Sequence, residues 1–469
     1  MTTGATAAAI ARGVTLLRRT GATAGDRVVV QLGQDLSTFG VLAAACLEGV
    51  VAVPLPPDLP PGERRAIVAD ARPTAILADP TLVVSTPAEL DVPVHEVDPA
   101  SIATLPGTDP ASSWPRTRPM AYTSGTTGRR KGVHVGVHEP DWGREVTEDE
   151  HLAFGGRHGD RHLVVSPLYH SGPLRFALVT ALLGGEVAVL PRFDARAWRD
   201  ALRAVRPTSL FCVPTHLHRL LALPDVTGDD LASLTLLAHA GAPCPVPLKR
   251  RTLELTPASS AWEFYGSTEG QFTVCPPEVW EVAPGTVGTA RPGRRLRIRD
   301  VDGGEAATGE IGTVWCEAPT HARFTYWDDP ARTAAAWDGD AFTVGDLGSL
   351  DAAGRLTLAG RPGDLVISGG VNVYPAEVER HLLDLPGVAE AVVFGIPDED
   401  WGQQVVAAVV AHAGVELDPA FLRHQLSDRL RAAEVPKQVA IVDELPRTPT
   451  GKIRRIGLAG AVAGPWGPT

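Results

Sequence analysis

Between Arg27 and Ala78 the chain alternates short apolar runs with amphipathic stretches, and few folds accommodate that rhythm. Arg27-Val28-Val29-Val30 reads as a buried strand, Phe39 to Gly49 as a helix, Val51 to Leu55 as a strand, Gly62 to Ala71 as a helix and Ala75 to Ala78 as a strand. A βαβαβ series closes as a mostly parallel sheet with helices on its faces. The pattern resumes with His162 to Ser166, a helix over Leu174 to Leu183, the strand Val187 to Leu190 and a helix with Asp194 as its N-cap, so two α/β lobes are expected. From Gly285 to Gly360 short runs such as Arg295 to Arg299 and Gly312 to Cys316 are separated by glycine and charge, the texture of a β-rich subdomain. After Gly360-Arg361-Pro362-Gly363-Asp364 comes a compact α/β unit. It holds a Pro375-led helix through Leu383, strands at Ala391 to Phe394 and Val405 to Val410, a helix begun by Asp418-Pro419 and a strand at Val439 to Val442. The fold class expected is α/β, multidomain in the α+β sense. Residues 1–361 would form a large N-terminal region and residues 362–469 a small C-terminal α/β domain.

At 469 residues and 44% apolar content the chain can bury more than one core. A net charge of −12 argues against general binding to nucleic acid or anionic membranes. Cys46, Cys212, Cys244, Cys275 and Cys316 are scattered and lack CxxC spacing, which suits reduced, buried thiols. The first twenty residues carry Ile10, Val14 and Leu17 at helical spacing between Arg12 and Arg18, and no apolar run reaches membrane-spanning length. A first helix, no membrane partner and a cytoplasmic location are therefore expected. Only four of the 43 basic residues are lysines (Lys131, Lys249, Lys437, Lys452). Lys131 and Lys452 lie beside glycines, where a compact ammonium has a use, while Lys249 and Lys437 read as ordinary polar positions.

Tyr122-Thr123-Ser124-Gly125-Thr126-Thr127-Gly128-Arg129-Arg130-Lys131-Gly132 packs hydroxyls, glycines and cations into eleven residues. Glycines let backbone N–H groups approach an anion, hydroxyls donate to phosphate oxygens, and cations offset the charge. A Walker loop is excluded, because Arg130 precedes the lysine and Gly132 follows it. Six of the fourteen histidines fall between His134 and His170, but irregularly and among acidic and arginine residues. A solvated acidic insertion over residues 136–160 is the expectation, not a metal site.

Four further motifs follow in order: Glu263-Phe264-Tyr265-Gly266-Ser267-Thr268-Glu269-Gly270, Phe342-Thr343-Val344-Gly345-Asp346-Leu347, Gly360-Arg361, and Pro446-Arg447-Thr448-Pro449-Thr450-Gly451-Lys452. With the loop they resemble the adenylate-forming superfamily of acyl-CoA synthetases, luciferases and peptide-synthetase adenylation domains, over roughly residues 20 to 456. The resemblance implies roles. Thr123, Ser124, Gly125, Thr126, Thr127, Gly128 and Lys131 would wrap the pyrophosphate of ATP, and Thr268 would bond the α-phosphate. Glu269 would hold Mg²⁺. Tyr265 and Gly266 would meet adenine, with Gly241, Ala242 and Pro243 lining the base. Asp346 would accept from the ribose hydroxyls beside Arg361. Lys452 would bridge the acid and the α-phosphate, and the C-terminal domain would rotate after adenylation to present Gly369 and Gly370 to coenzyme A.

The segment carrying His170 would line the acid pocket opposite Phe211-Cys212-Val213-Pro214-Thr215-His216, an apolar to weakly polar wall that suits an aliphatic or aromatic carboxylic acid. No Asp follows that segment before Asp194, so an amino acid substrate is not expected. Seventeen residues follow Lys452, too few for a fused carrier domain, which makes coenzyme A the expected acceptor in an acyl-adenylate-forming acid–CoA ligase. An amine acceptor, or nitrite activation for nitrogen–nitrogen bond formation, would use the same phosphate motifs. A monomer or a homodimer fits equally. Arg130 stands where the family commonly has proline, and it is expected to add a cation to the pyrophosphate grip.

Overall fold

A computed structural model describes residues 4–81, 92–123, 130–155, 157–368, 371–398, 400–447, 453 and 457–462. Strands β1 (Arg27–Gln31), β2 (Val51–Pro54), β3 (Ala75–Ala78) and β4 (Val94–Glu96) form a parallel sheet in the order β2-β1-β3-β4. Helices Gly4–Arg19 and Leu36–Glu48 belong to the core beside this sheet, and they touch backbone to backbone. A Cβ on Gly40 would lie 2.3 Å from the Ala9 carbonyl oxygen, so glycine is required at the crossing. The second helix starts at Asp35, whose carboxylate accepts from the Thr38 N–H, and stops at Gly49 in the left-handed region.

The hairpin stem β5 (Tyr122–Thr123) and β6 (Lys131–His134) comes next. The second lobe is built from β7 (Arg161–Val164), β8 (Glu186–Val189), β9 (Ser209–Cys212), β10 (Leu236–His239) and β11 (Ala261–Glu263), all parallel in the order β11-β10-β9-β7-β8. Both α/β lobes thus form as the alternation demands, within a residue or two at most ends. The β-rich part is antiparallel, with Gly312–Glu317 pairing Arg295–Arg299, Ala341–Phe342 and Leu347–Leu350. Toward the C-terminus the two short strands expected are the middle of a longer ribbon, Val388–Asp398 against Gly402–Ala411, because pairing continues through polar residues at its edges. Among the described residues no helix is long and apolar enough to cross a membrane.

One expectation fails. The acidic stretch 136–160 is not a solvated insertion: Pro140–Phe154 is a helix with Val146, Thr147, Glu150, Ala153 and Phe154 buried. Its carboxylates are neutralised from distant elements. Arg291, 1% exposed, lies 3.0 Å from Asp149 and 3.3 Å from Glu150, Arg294 lies 2.8 Å from Asp149, and Arg175 lies 3.6 Å from Glu150. Burial pulls both carboxylates up, but the His321 hydrogen bond to Asp149 and these arginines outweigh it and leave both below their ordinary range.

Candidate active site

The ends of four elements converge on Glu269. Lys131 opens β6 and pairs with Thr123 at the end of β5, so these two residues form the stem from which the hydroxyl-rich loop springs. The strand Thr325–Tyr326 adds to the other edge of β6, Tyr326 opposite Val133. The Tyr265-to-Glu269 turn follows β11, and the helix Ser171–Leu182 points its N-terminus at the same place, with His170 as N-cap residue.

Glu269 is 5% exposed, and its Oε1 lies 3.0 Å from Lys131 Nζ and accepts from the Tyr326 hydroxyl at 2.9 Å. Burial pushes its pKa up, but the lysine contact and the hydrogen bonds outweigh burial and leave it below the ordinary carboxylate range. A buried carboxylate kept ionised is the hard oxygen donor that a divalent cation requires. Beside it, Ser171 Oγ donates to Thr268 Oγ1 at 3.4 Å. Thr123 Oγ1 and Ser267 Oγ are buried without a partner among the described residues, as expected of hydroxyls that serve a ligand.

A second carboxylate stands nearby. Asp346 Oδ2 accepts from the Tyr265 hydroxyl at 2.7 Å and Oδ1 from Arg361 Nε at 2.8 Å. Burial and the Asp346 charge raise the Tyr265 phenol well above its ordinary range. Gly241, which follows β10, has a φ of +89°, and Gly266 pairs across its own turn with Gln271. Ser124, Gly125, Thr126, Thr127, Gly128, Gly369, Gly370 and Lys452 lie outside the described residues. Five residues before Lys452, Arg447 is ion-paired with Glu390 and donates to Thr215 Oγ1 at 3.4 Å, which ties the C-terminal part to the helix Pro214–Leu221.

Arg130, just before β6, donates from Nε to Glu63 Oε2 at 2.7 Å, which ties the stem to the helix Pro61–Ala71. Two sequence readings need correction. Lys249 is no ordinary polar position. It is wholly buried and donates to His239 Nε2 at 2.6 Å and the Ala261 carbonyl at 3.1 Å. The wall 211–216 divides between two cores, because side chains alternate along β9. Phe211 joins Phe154, Phe176 and Phe264, whereas Cys212 packs in the opposite core and His216 stacks on Phe193 at 3.9 Å. Burial lowers the His216 imidazole to about 4, so it is neutral. Phe211 meets the start of the helix Ser171–Leu182: a Cβ on Gly172 would come within 3.1 Å of its ring.

Sequence reasoning missed Tyr326 altogether. An isolated tyrosine in a two-residue strand carries no local signal, and its role depends on pairing with β6 across nearly two hundred residues.

A two-lobed α/β body with the stem of a hydroxyl-rich segment beside a buried, ionised glutamate, followed by a small C-terminal α/β part, is the arrangement of the adenylate-forming class of enzymes. Residues 3–327 match the family model described as AMP-binding enzyme, and residues 377–452 match the AMP-binding enzyme C-terminal domain, so the chain belongs to this family. It is 32% identical to an indoleacetate–CoA ligase of Aromatoleum aromaticum, over 91% of this chain and 86% of that one. ATP-bound MatB from Rhodopseudomonas palustris superposes with a TM-score of 0.84 at 30% identity, covering 96% of this chain and 91% of the other. The amide bond synthetase McbA from Marinactinospora thermotolerans gives 0.82 at 28% identity, with 95% and 91% covered.

Proposed function

We propose that the protein is an ATP- and Mg²⁺-dependent carboxylic acid–CoA ligase acting through an acyl-adenylate, with residues 1–361 holding ATP and acid and residues 362–469 carrying Lys452. The observation that carries this reading is the ionised Glu269 set between the stem of the phosphate loop and Thr268. The site suits Mg²⁺, which takes one or two protein carboxylates and completes its shell with phosphate and water. When bound, the cation would neutralise charge on the departing pyrophosphate.

This chain's own groups do the rest. Lys131 is a point charge for the β- and γ-phosphates, Thr268 donates to the α-phosphate, and Asp346, held by Tyr265 and Arg361, accepts from the ribose hydroxyls. A carboxylate oxygen of the acid attacks the α-phosphorus, the bond to the β-phosphate oxygen breaks, and pyrophosphate leaves. Lys452 offsets the charge that builds between acid and phosphate. The thiolate of CoA then attacks the acyl carbon and releases AMP. Phe211, Phe264 and Phe176, whose ring centroids lie 5.4–5.9 Å apart, supply flat apolar walls and favour an aromatic acid. The aryl-acid ligase among the relatives supports that choice.

The likeness to an amide bond synthetase favours a second reading, transfer of the acyl group to an amine. Pyrophosphate release across a panel of aryl and alkyl acids, with and without CoA, decides. Thioester formation that requires CoA supports the ligase. Turnover that requires an amine supports the second reading, and release with no acid on the panel contradicts both.

A further inference from the structure

We propose that Tyr326 is a positioning residue that keeps Glu269 aimed at a divalent cation after Lys131 has turned to phosphate; this rests on the reading of Glu269 given above. In the structure one carboxylate oxygen, Oε1, is shared by two donors. Lys131 Nζ stands 3.0 Å away and the Tyr326 hydroxyl 2.9 Å away, and Lys131 also donates to that hydroxyl at 2.8 Å. An ammonium has only hydrogens to give, so the single hydroxyl hydrogen goes to Glu269.

The two donors differ in freedom. The Lys131 ammonium is carried on four rotatable methylenes, and its side chain is 19% exposed. Tyr326 is 4% exposed, with its ring 5.4 Å from that of Phe324 and its backbone N–H bonded to Thr333 Oγ1 at 2.9 Å. The next residue, Trp327, donates its N–H to the Gly132 carbonyl at 2.8 Å, so the strand is fastened to the loop stem itself. Lys131 and Val133 project from the same side of β6, and Tyr326 is the cross-strand partner of Val133, which brings hydroxyl and ammonium together diagonally. When a triphosphate draws Lys131 away, Glu269 loses its cation but keeps the fixed hydroxyl. Without that hydroxyl a buried carboxylate would turn toward whatever donor remained.

Tyr326→Phe removes the oxygen and keeps the ring. Calorimetric titration of ATP into the variant with and without Mg²⁺ should show Mg²⁺-free affinity within about twofold of wild type and a Mg²⁺ half-saturation roughly tenfold higher, the scale of one hydrogen bond to a charged group. The melting temperature should move by no more than a few degrees. An unchanged Mg²⁺ half-saturation overturns the inference, and so does Mg²⁺-free affinity that falls by the same factor. Glu269→Gln, titrated alongside, separates the two levels. If it shifts the Mg²⁺ dependence and Tyr326→Phe does not, the role of Tyr326 is wrong and the reading of Glu269 stands; if neither shifts it, both are wrong.

Discussion

Glu263 and Glu269 are six residues apart, each is 5% exposed and each has a lysine close by, yet their pKa values move in opposite directions. Lys131 touches Glu269 and keeps it ionised. Lys249 is bonded to His239 Nε2 and a backbone carbonyl and reaches Glu263 only through space, so burial wins and pushes the Glu263 carboxyl up to about 7. His239, 3.9 Å from Glu263 Oε2, gives no help, because burial and Lys249 hold it neutral. Burial alone therefore does not set the charge of a buried carboxylate; the place where the neighbouring cation's hydrogens are directed does. Glu269 is the carboxylate that the proposed function assigns to a cation, and Glu263 lies beside the buried Lys249–His239 pair.

The largest effect is expected at Lys249, the cation on which the inner network turns. Lys249→Met removes it, leaves His239 Nε2 and the Ala261 carbonyl without their donor, and should cost about 1–3 kcal/mol of unfolding free energy in urea for each orphaned acceptor. A midpoint shift too small to measure would mean that the network carries no stability.

Glu263→Gln tests the same network through pH. The folded-state pKa of about 7 lies above the unfolded value, so between the two the folded chain holds the extra proton. Stability from this group is present at low pH and lost as pH rises toward and past 7, each tenfold difference in proton affinity between folded and unfolded chain being worth roughly 1.4 kcal/mol. Glu263→Gln should flatten the wild-type decline in unfolding free energy between about pH 4.5 and 7 and be the more stable protein at pH 8. Glu269 works the other way, its contribution being lost as pH falls through its lowered pKa. A wild-type profile that rises from pH 5 to 7 and is unchanged in Glu263→Gln would contradict the assignment.

The smallest effect belongs to the Arg130–Glu63 pair, whose side chains are 36% and 46% exposed. Glu63→Ala should change stability by less than about 1 kcal/mol and leave the ATP dependence of pyrophosphate release where it was. A large shift in ATP dependence would support Arg130 as part of the pyrophosphate grip.

What the sequence disclosed depended on the range of the interactions involved. Both α/β lobes were legible from local alternation, and caps such as Asp194 and Asp418 from chemistry within three residues. Asp346 and Arg361 were legible as motif residues, and the structure brings them together with Tyr265. The helix Pro140–Phe154 misled because its acidic residues read as solvated, while Arg175, Arg291 and Arg294, which bury them, lie far along the chain. Lys249 and Tyr326 failed for the same reason. Each acquires its role from partners brought together by strand order, His239 on β10 in one case and β6 in the other.

The central claim is that Glu269 serves adenylate formation while its equally buried neighbour does not. Acid-dependent exchange of labelled pyrophosphate into ATP, measured without CoA on wild type, Glu269→Gln and Glu263→Gln, tests it directly. Exchange should appear in wild type with an aryl acid, fall by about 10²–10³-fold in Glu269→Gln, and stay near wild type in Glu263→Gln. Equal loss in both variants, or wild-type exchange in Glu269→Gln, would contradict it.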